Sequence, residues 1–247
     1  MNRVMSVDLE YDFDSKKSES VSEVIPKLLN LFDDFDVKAT FFVVGELVDK
    51  YETLIREIGE KHEIGSHSQT HPRLDGVDIK RLNFEVAESK KQIEKLGFKC
   101  NGFRSPFMKP HKMLMQTLKN NGYTYDSSFS SSHPPFFVNP LIKTKPYKKH
   151  VIELPADQFF WKMVPTSFFY YRFLYPWSKS FKEPYMFYLH PCELQMNLDL
   201  GSMPMWRKMF YKRNLGKNSW KILREFFENS NSKWVSCMDF VKFRGLF

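Results

Sequence analysis

The stretch that decides how this chain folds and works reads Gly65-Ser66-His67-Ser68-Gln69-Thr70-His71-Pro72. Two imidazoles at this spacing can bind one cation if the backbone makes a single turn between them, and imidazole nitrogen suits zinc and its first-row neighbours. Pro72 disfavours the α conformation at His71, so we expect the turn to end there. By this spacing alone, both histidines could equally be ordinary polar loop residues. Motifs elsewhere in the chain are needed to distinguish this alternative from a metal site.

Further stretches place ionisable residues at the end of an apolar, strand-like run. In Arg3-Val4-Met5-Ser6-Val7-Asp8-Leu9-Glu10, strand alternation puts Asp8 and Glu10 on one face. The other two are Gly102-Phe103-Arg104-Ser105-Pro106-Phe107 and Met186-Phe187-Tyr188-Leu189-His190-Pro191. Singly, each has a plain structural explanation: an acidic loop, an ion pair or a packed histidine. Together they repeat one order, strand, ionisable residue and loop, which is typical of enzymes whose active site gathers at the carboxyl ends of barrel strands.

Strand-like and helix-like segments alternate along the chain and predict an α/β fold. At 247 residues with 42% hydrophobic residues, the chain can form one barrel-like domain over residues 1–247. Hydrophobic periodicity predicts strands at 4–9, 39–44, 63–66, 151–154 and 185–189, and helices at 20–32, 46–60, 78–96, 111–120 and 217–228.

These motifs together resemble the polysaccharide deacetylase family with the NodB homology domain, carbohydrate esterase family 4. His67 to Pro72 resembles its zinc-binding motif, Arg104 to Phe107 its arginine motif, and Leu189-His190-Pro191 its final histidine motif. The resemblance implies a distorted (β/α) barrel with the active site at the carboxyl ends of the strands. It also implies a metal-dependent hydrolase that removes an N-acetyl group from an amino sugar of a polysaccharide, oligosaccharide or lipid-linked glycan precursor.

The resemblance also implies catalytic roles. Asp8 corresponds to the base, Glu10 to the third metal ligand beside His67 and His71, and His190 to the acid that protonates the leaving amine. Arg104 would hold Asp8 ionised and oriented. The family's usual first motif has two adjacent aspartates, whereas Leu9 separates Asp8 from Glu10 here, so Asp12 is an alternative metal ligand. The metal is a divalent ion, expected to be Zn²⁺, with Co²⁺, Ni²⁺, Fe²⁺ and Mn²⁺ as alternatives.

Substrate contacts are assigned to two residues of the arginine motif and to one tryptophan farther along the chain. We expect Phe107, Pro106 and Trp161 to bind substrate, and the Phe107 backbone amide to stabilise an oxyanion. Many family members support the acid histidine through an aspartate-and-tryptophan motif. This chain has no clear counterpart, although Asp157 and Trp161 lie in the corresponding region.

An aromatic-rich stretch around 157–180 interrupts the alternation and predicts an insertion or lid. It is either a hydrophobic lid packed on the barrel or a surface that contacts a membrane interface. A second stretch, 203–213, has the same mixture of aromatic and basic residues, and the net charge of +8 suits an anionic membrane. We do not expect nucleic acid as a partner, because no nucleic-acid motif occurs and the basic residues are dispersed.

The expected partner is an amino-sugar glycan or a lipid-linked sugar, handled in the cytoplasm or peripherally at the inner membrane face. No secretory signal precedes the first strand and no apolar run is long enough to span a bilayer. One alternative is a deformylase of a polyprenyl-phosphate-linked amino sugar, since formyl and acetyl differ by one methyl group. Another, suggested by the departure at Leu9, is a catalytically inactive glycan-binding or scaffold protein on the same fold.

Overall fold

The computed structural model describes residues 1–12, 16–129, 150–156, 166–201 and 203–246, and the backbone of three short strands between 132 and 148. Its strands are β1 Asn2–Leu9, β2 Ala39–Val43, β3 Glu63–Ser66, β4 Gly102–Phe103, β5 Tyr125–Asp126, β6 Ser132–His133, β7 Phe137–Val138, β8 Tyr147–Lys148, β9 Ile152–Glu153, β10 Met186–Leu189 and β11 Lys233–Val235. Its α-helices are α1 Glu19–Asp34, α2 Gly45–Lys50, α3 Glu52–Lys61, α4 Ile79–Lys95, α5 Leu114–Asn120, α6 Phe168–Phe173, α7 Met205–Lys212, α8 Lys217–Glu228 and α9 Cys237–Phe243.

A curled sheet, parallel over most of its width, forms the centre of the fold. Its order is β10-β1-β2-β3-β4-β5-β9-β8, and β11 pairs with the first residues of β1. All pairs in this sheet are parallel except β8 with β9. The curled half-barrel with its helices confirms the predicted α/β distorted barrel. Because neighbouring parallel strands end at the same edge, their carboxyl ends bring distant sequence segments together.

Burial explains why the central strands read as nearly continuous apolar runs. Every residue of β2 is buried, as are the last six residues of β1. Helices cover the outer face: α8, for example, buries Ile222, Leu223, Phe226 and Phe227 along one side. Side chains alternate between the two faces of a strand. In a parallel sheet that is covered on both faces, nearly every position of a central strand is therefore buried and apolar.

The sequence prediction of one helix over 46–60 is wrong. The structure has two helices there, α2 and α3, which meet at Tyr51 with φ of −122°. The Tyr51 hydroxyl donates to the backbone carbonyl of Ser18, 2.7 Å away. This contact to a distant segment accompanies the break, and hydrophobic periodicity carries no signal for it.

The predicted insertion or lid at 157–180 lies partly outside the described residues, which resume at 166. The described part contains α6, whose Phe168 and Tyr171 are buried and contact Phe187 of β10. That portion therefore packs on the barrel. Within the described part of the chain, no helix is both long and apolar enough to cross a membrane.

Candidate active site

Ionisable residues from four separate segments meet at the carboxyl edge of the sheet. Asp8 and Glu10 lie at the end of β1, His67 follows β3, Arg104 follows β4 and His190 follows β10. The His190 Nε2 atom lies 3.8 Å from both Asp8 Oδ2 and Glu10 Oε1. The structure thus brings together the residues that the sequence assigned to base, ligand, arginine and acid roles.

Glu10, His67 and His71 form a three-residue cluster with the composition of a metal site. Glu10 Oε2 lies 3.2 Å from His67 Nε2 and 2.6 Å from His71 Nε2, and one ligand atom from each residue falls within 4.8 Å of the others. Two imidazoles and one carboxylate are the protein ligands of many catalytic zinc sites.

Hydrogen bonding around the cluster tests whether it suits a cation. His67 Nδ1 lies 2.8 Å from the Arg104 carbonyl; a carbonyl only accepts, so Nδ1 carries the proton. In neutral His67, the Nε2 lone pair then faces the Glu10 carboxylate, an arrangement that repels unless a cation lies between them. His71 Nε2 is buried and makes no well-directed hydrogen bond within the described residues, despite its short distance to Glu10. The donor set therefore fits a divalent metal.

The electrostatics of Glu10 agree with this arrangement. Burial by itself raises the pKa of a carboxyl group, but the neighbouring imidazoles of His71, His190 and His67 together hold the pKa of Glu10 well below its ordinary value. Glu10 is therefore a carboxylate, the form that binds a metal ion.

The turn that carries the two histidines is tightly constrained. Ser68 and His71 both have positive φ, 64° and 60°, a conformation that costs free energy for residues other than glycine. The Ser68 hydroxyl accepts from the His71 backbone N–H at 3.1 Å. The chain thus turns once and does not continue as a helix at His71.

Glu85 of α4 holds this turn from behind, and sequence reasoning missed it. Its carboxylate has no solvent exposure and accepts from the backbone N–H groups of Gln69 and Thr70, each at 2.8 Å. It also accepts from the Thr70 hydroxyl at 2.7 Å and pairs with Arg81. One signal was available: Glu85 falls on the buried, apolar face of α4, where an unpartnered carboxylate would be costly.

Arg104 is fully buried and fixes Asp8. Its Nη1 donates to Asp8 Oδ1 at 2.6 Å, while Nη2 and Nε donate to the hydroxyl and the carbonyl of Ser127. The guanidinium also lies over the Phe42 ring, 4.2 Å from its centroid. Because Asp8 Oδ1 is engaged by Arg104, Oδ2 is the oxygen that lies on the side of His190.

His190 is oriented by a carboxylate from its own turn. Its Nδ1 lies 2.7 Å from Glu193 Oε1, so Nδ1 donates and Nε2 faces the site. Burial lowers the pKa of His190, but Glu10, Glu193 and Asp8 outweigh it and raise the pKa to about 10. His190 therefore carries a proton at neutral pH.

Glu193 was also missed by sequence reasoning, which considered the region of Asp157 and Trp161, outside the described residues. Glu193 is buried, and its Oε2 lies 3.9 Å from Nε of the fully buried Arg172. The available signal was the spacing: a glutamate three residues after His190, with Pro191 at the first helical position, has the spacing of a capping box.

The three residues that the sequence assigned to substrate binding differ in their exposure to solvent or lie outside the described residues. Phe107 is 58% exposed, and its ring centroid lies 4.8 Å from that of His71, so it offers an aromatic surface beside the histidine turn. Pro106 is buried beneath it in the short 3₁₀ turn Pro106–Met108. Trp161 lies outside the described residues.

Asp12, the alternative metal ligand, lies apart from the cluster. Its carboxylate accepts from the backbone N–H groups of Glu19 and Ser20, at 2.8 Å and 3.2 Å, and from the Ser20 hydroxyl. It therefore caps the start of α1. The structure brings Glu10, not Asp12, to the two imidazoles.

Comparison with known proteins agrees with this geometry. The polysaccharide deacetylase family model matches residues 7–125, from the base to β5. These residues, just under half of the chain, are similar to the polysaccharide deacetylase family, which confirms the resemblance seen in the sequence motifs. A peptidoglycan-N-acetylglucosamine deacetylase of Bacillus cereus is 30% identical over 89 residues, 36% of this chain and 31% of that protein. A chitooligosaccharide deacetylase of Rhizobium leguminosarum is 35% identical over 71 residues, 28% of this chain and 31% of that protein. The match thus spans less than a third of these relatives.

Solved structures share the fold of this chain over almost its whole length. A family 4 carbohydrate esterase from Bacillus anthracis aligns with a TM-score of 0.56 and 16% identity, covering 98% of this chain and 82% of that one. A CE4 family pseudoenzyme from Bacillus anthracis aligns with a TM-score of 0.59 and 13% identity, covering 96% of this chain and 65% of that one. At these identities the likeness concerns the fold alone.

The support that Glu85 gives the histidine turn predicts a loss of metal affinity when it is neutralised. In Glu85→Gln, an amide replaces the carboxylate that accepts from two backbone N–H groups, so the turn is held less firmly. Zinc affinity, measured by isothermal titration, should fall about tenfold or more, as for other residues that support metal ligands. Glu88→Gln on the same helix is the matched control and should bind zinc normally. Equal affinities in the two variants would contradict this role.

Proposed function

We propose that this chain is a metal-dependent hydrolase that removes an N-acetyl group from an amino sugar of a glycan. The observation that carries the proposal is the convergence on one sheet edge of a metal-type cluster, an arginine-bound aspartate and a carboxylate-bound histidine. Amide hydrolysis needs a base for the attacking water and an acid for the leaving amine, and both lie here within reach of the cluster.

The metal would be held by Glu10, His67 and His71, with zinc as the expected ion for this ligand set. When bound, such an ion polarises the substrate carbonyl and lowers the pKa of water. The remaining chemistry belongs to the side chains around it.

Asp8 is suited to act as the base. Arg104 engages Oδ1 at 2.6 Å, which fixes the carboxylate and leaves Oδ2 directed toward the site to accept a proton from the attacking water.

His190 is suited to act as the acid. It enters the reaction protonated, and Glu193 fixes its ring so that Nε2 faces the space beside Asp8 and Glu10. Transfer of the Nε2 proton to the departing nitrogen avoids the expulsion of an amine anion.

The substrate class is supported by the exposed ring of Phe107 beside His71, which offers an apolar surface to the face of a sugar. The relatives are named as deacetylases of peptidoglycan and of chitooligosaccharides, which supports a glycan carrying N-acetylated amino sugars. We further infer that the sugar is linked to a lipid, for the reasons given in the next subsection. A cytoplasmic location stays a prediction from the sequence.

The direct test is release of acetate and formate by the zinc-loaded protein from a chitin oligomer, a nucleotide N-acetyl sugar and a polyprenyl-linked amino sugar. Acetate release supports the proposal, whereas release of formate alone would replace it with the deformylase. A protein that binds no metal and releases neither acid would be a binding or scaffold protein on this fold.

The role of Asp8 predicts a specific loss of turnover. Asp8→Asn removes the proton acceptor while an oxygen remains for Arg104, so turnover should fall roughly a hundredfold to ten-thousandfold while zinc is still bound. The matched control is Asp12→Asn, the same chemical change at the carboxylate that caps α1, which should keep near-normal turnover. Full activity of Asp8→Asn would show that another group is the base.

The role of Glu193 predicts a split between kcat and KM. Glu193→Gln leaves His190 in place but weakens the contact that orients its ring and favours its protonated form. The value of kcat should therefore fall about tenfold or more, while KM changes little. Glu23→Gln serves as the control, because Glu23 pairs with Gln195 in the segment after this turn without contacting His190. Unchanged kcat in Glu193→Gln, or an equal loss in the control, would overturn the assignment.

A further inference from the structure

Helix α7 exposes an apolar face that the proposed chemistry does not use. None of its residues is buried, and Met205, Trp206, Met209 and Phe210 are exposed by 72%, 64%, 69% and 49%. At 3.6 residues per turn, these four side chains occupy one sector of roughly 140°. Isolated exposed apolar residues are common, but a contiguous set on one helix face marks an interaction surface.

Basic residues border this face. At 100° per residue, Lys212 lies at one edge of the apolar sector, and Arg207 and Lys208 each lie about 60° beyond one of its edges, with Arg213 immediately after the helix. Among the residues that the structure describes, none of these four forms an ion pair with a carboxylate. Residues 201–224 contain no aspartate or glutamate at all. The surface is therefore both apolar and strongly positive.

Helix α7 rests on α6 through aromatic contacts of Tyr211, opposite the apolar sector, and of Phe210, at one edge of that sector. The Phe210 and Phe173 rings stack with centroids 5.2 Å apart, and those of Tyr211 and Phe169 are 4.8 Å apart. The Arg213 guanidinium lies over the Phe173 ring. This packing fixes the helix on the body of the protein and leaves its apolar sector facing outward.

Arg172 connects α7 to the acid histidine. Its Nη1 donates to the carbonyls of Tyr211 and Arg213, at 3.0 Å and 2.5 Å, at the end of α7. The same guanidinium lies 3.9 Å from Glu193, which orients His190. Arg172 thus links the carboxyl end of α7 to the carboxylate that orients His190.

We propose that α7 is an interfacial helix that docks this chain on a membrane containing anionic lipids. Its apolar sector would enter the boundary between headgroups and acyl chains, and Arg207, Lys208, Lys212 and Arg213 would contact lipid phosphates. Docking in this way would hold the part of the protein that supports His190 next to the bilayer. Resting on the proposed hydrolase function, this makes a lipid-linked amino sugar the substrate class.

Charge and shape favour a lipid surface over other partners. A second copy of the chain would bring two sets of these cations together in one interface, which is electrostatically unfavourable. A single-stranded nucleic acid would be bound by stacking on aromatic rings, yet two of the four exposed side chains, Met205 and Met209, have no ring. An acyl-chain boundary accepts methionine and aromatic side chains alike.

The test is flotation of the purified chain with vesicles of phosphatidylcholine, with and without phosphatidylglycerol. We expect binding to the anionic vesicles that weakens with salt. Two double variants, Trp206→Ser with Met209→Ser and Arg207→Glu with Lys212→Glu, should each reduce the bound fraction about tenfold or more. Circular dichroism and thermal unfolding verify that each variant is folded.

Matched controls replace exposed residues elsewhere on the surface. Phe84→Ser with Phe243→Ser, and Lys80→Glu with Lys119→Glu, remove as many apolar or basic side chains and should bind like the unaltered chain. Equal loss in variants and controls, no binding to anionic vesicles, self-association through α7 or binding to an oligonucleotide instead would each overturn the proposal. Flotation measures no turnover, so failure of docking and failure of the hydrolase assignment are separate results.

Discussion

The buried contact between Arg104 and Asp8 is the interaction on which the site depends. One residue acts twice: the guanidinium fixes Asp8, and the backbone carbonyl accepts from Nδ1 of His67 and so directs Nε2 toward the metal cluster. A charge without solvent exposure is costly unless it is paired and hydrogen-bonded. Ser127, the Met186 sulfur and the Phe42 and Tyr188 rings supply further contacts. The base and one metal ligand are therefore oriented by the same residue, through its side chain and its backbone carbonyl respectively.

Buried carboxylates behind the site repeat this principle. Glu85 accepts from the backbone of the histidine turn and so fixes that turn. Glu193 accepts from Nδ1 of His190 and leaves Nε2 facing the site. Asp126 accepts from the Ser128 hydroxyl, which in turn accepts from the Ser105 backbone N–H and so positions the loop that carries Phe107. Burial raises the pKa of Asp126 to about 6. Rigid supports of this kind keep the reacting groups in place before substrate arrives.

Much of the site could be predicted from sequence because an apolar run followed by an ionisable residue and a loop indicates the carboxyl end of a strand. Alternation within β1 and the proline-limited ends of the other strands indicated that Asp8, His67, Arg104 and His190 would share one sheet edge, and they do. Glu193 and Glu85 were missed for a physical reason. Glu193 has only a local spacing signal, which predicts a helix cap as readily as a contact to the His190 ring. The role of Glu85 depends on which backbone packs against its helix, and that information is tertiary. The break between α2 and α3 at Tyr51 has the same origin, since its partner is a distant carbonyl.

The sequence named Glu10 as the third metal ligand but left Asp12 as an alternative. The structure shows how the surroundings of these two carboxylates differ. Asp12 accepts from the first N–H groups of α1, a local need that any helix start presents, whereas Glu10 continues the inward face of β1. The most direct measurement is anomalous diffraction at the zinc edge from crystals of the zinc-loaded protein. We expect one strong zinc peak, at about 2.0–2.2 Å from a carboxylate oxygen of Glu10 and from a ring nitrogen of each of His67 and His71. A peak bound by Asp12 in place of Glu10, or no peak at this sheet edge, would contradict it.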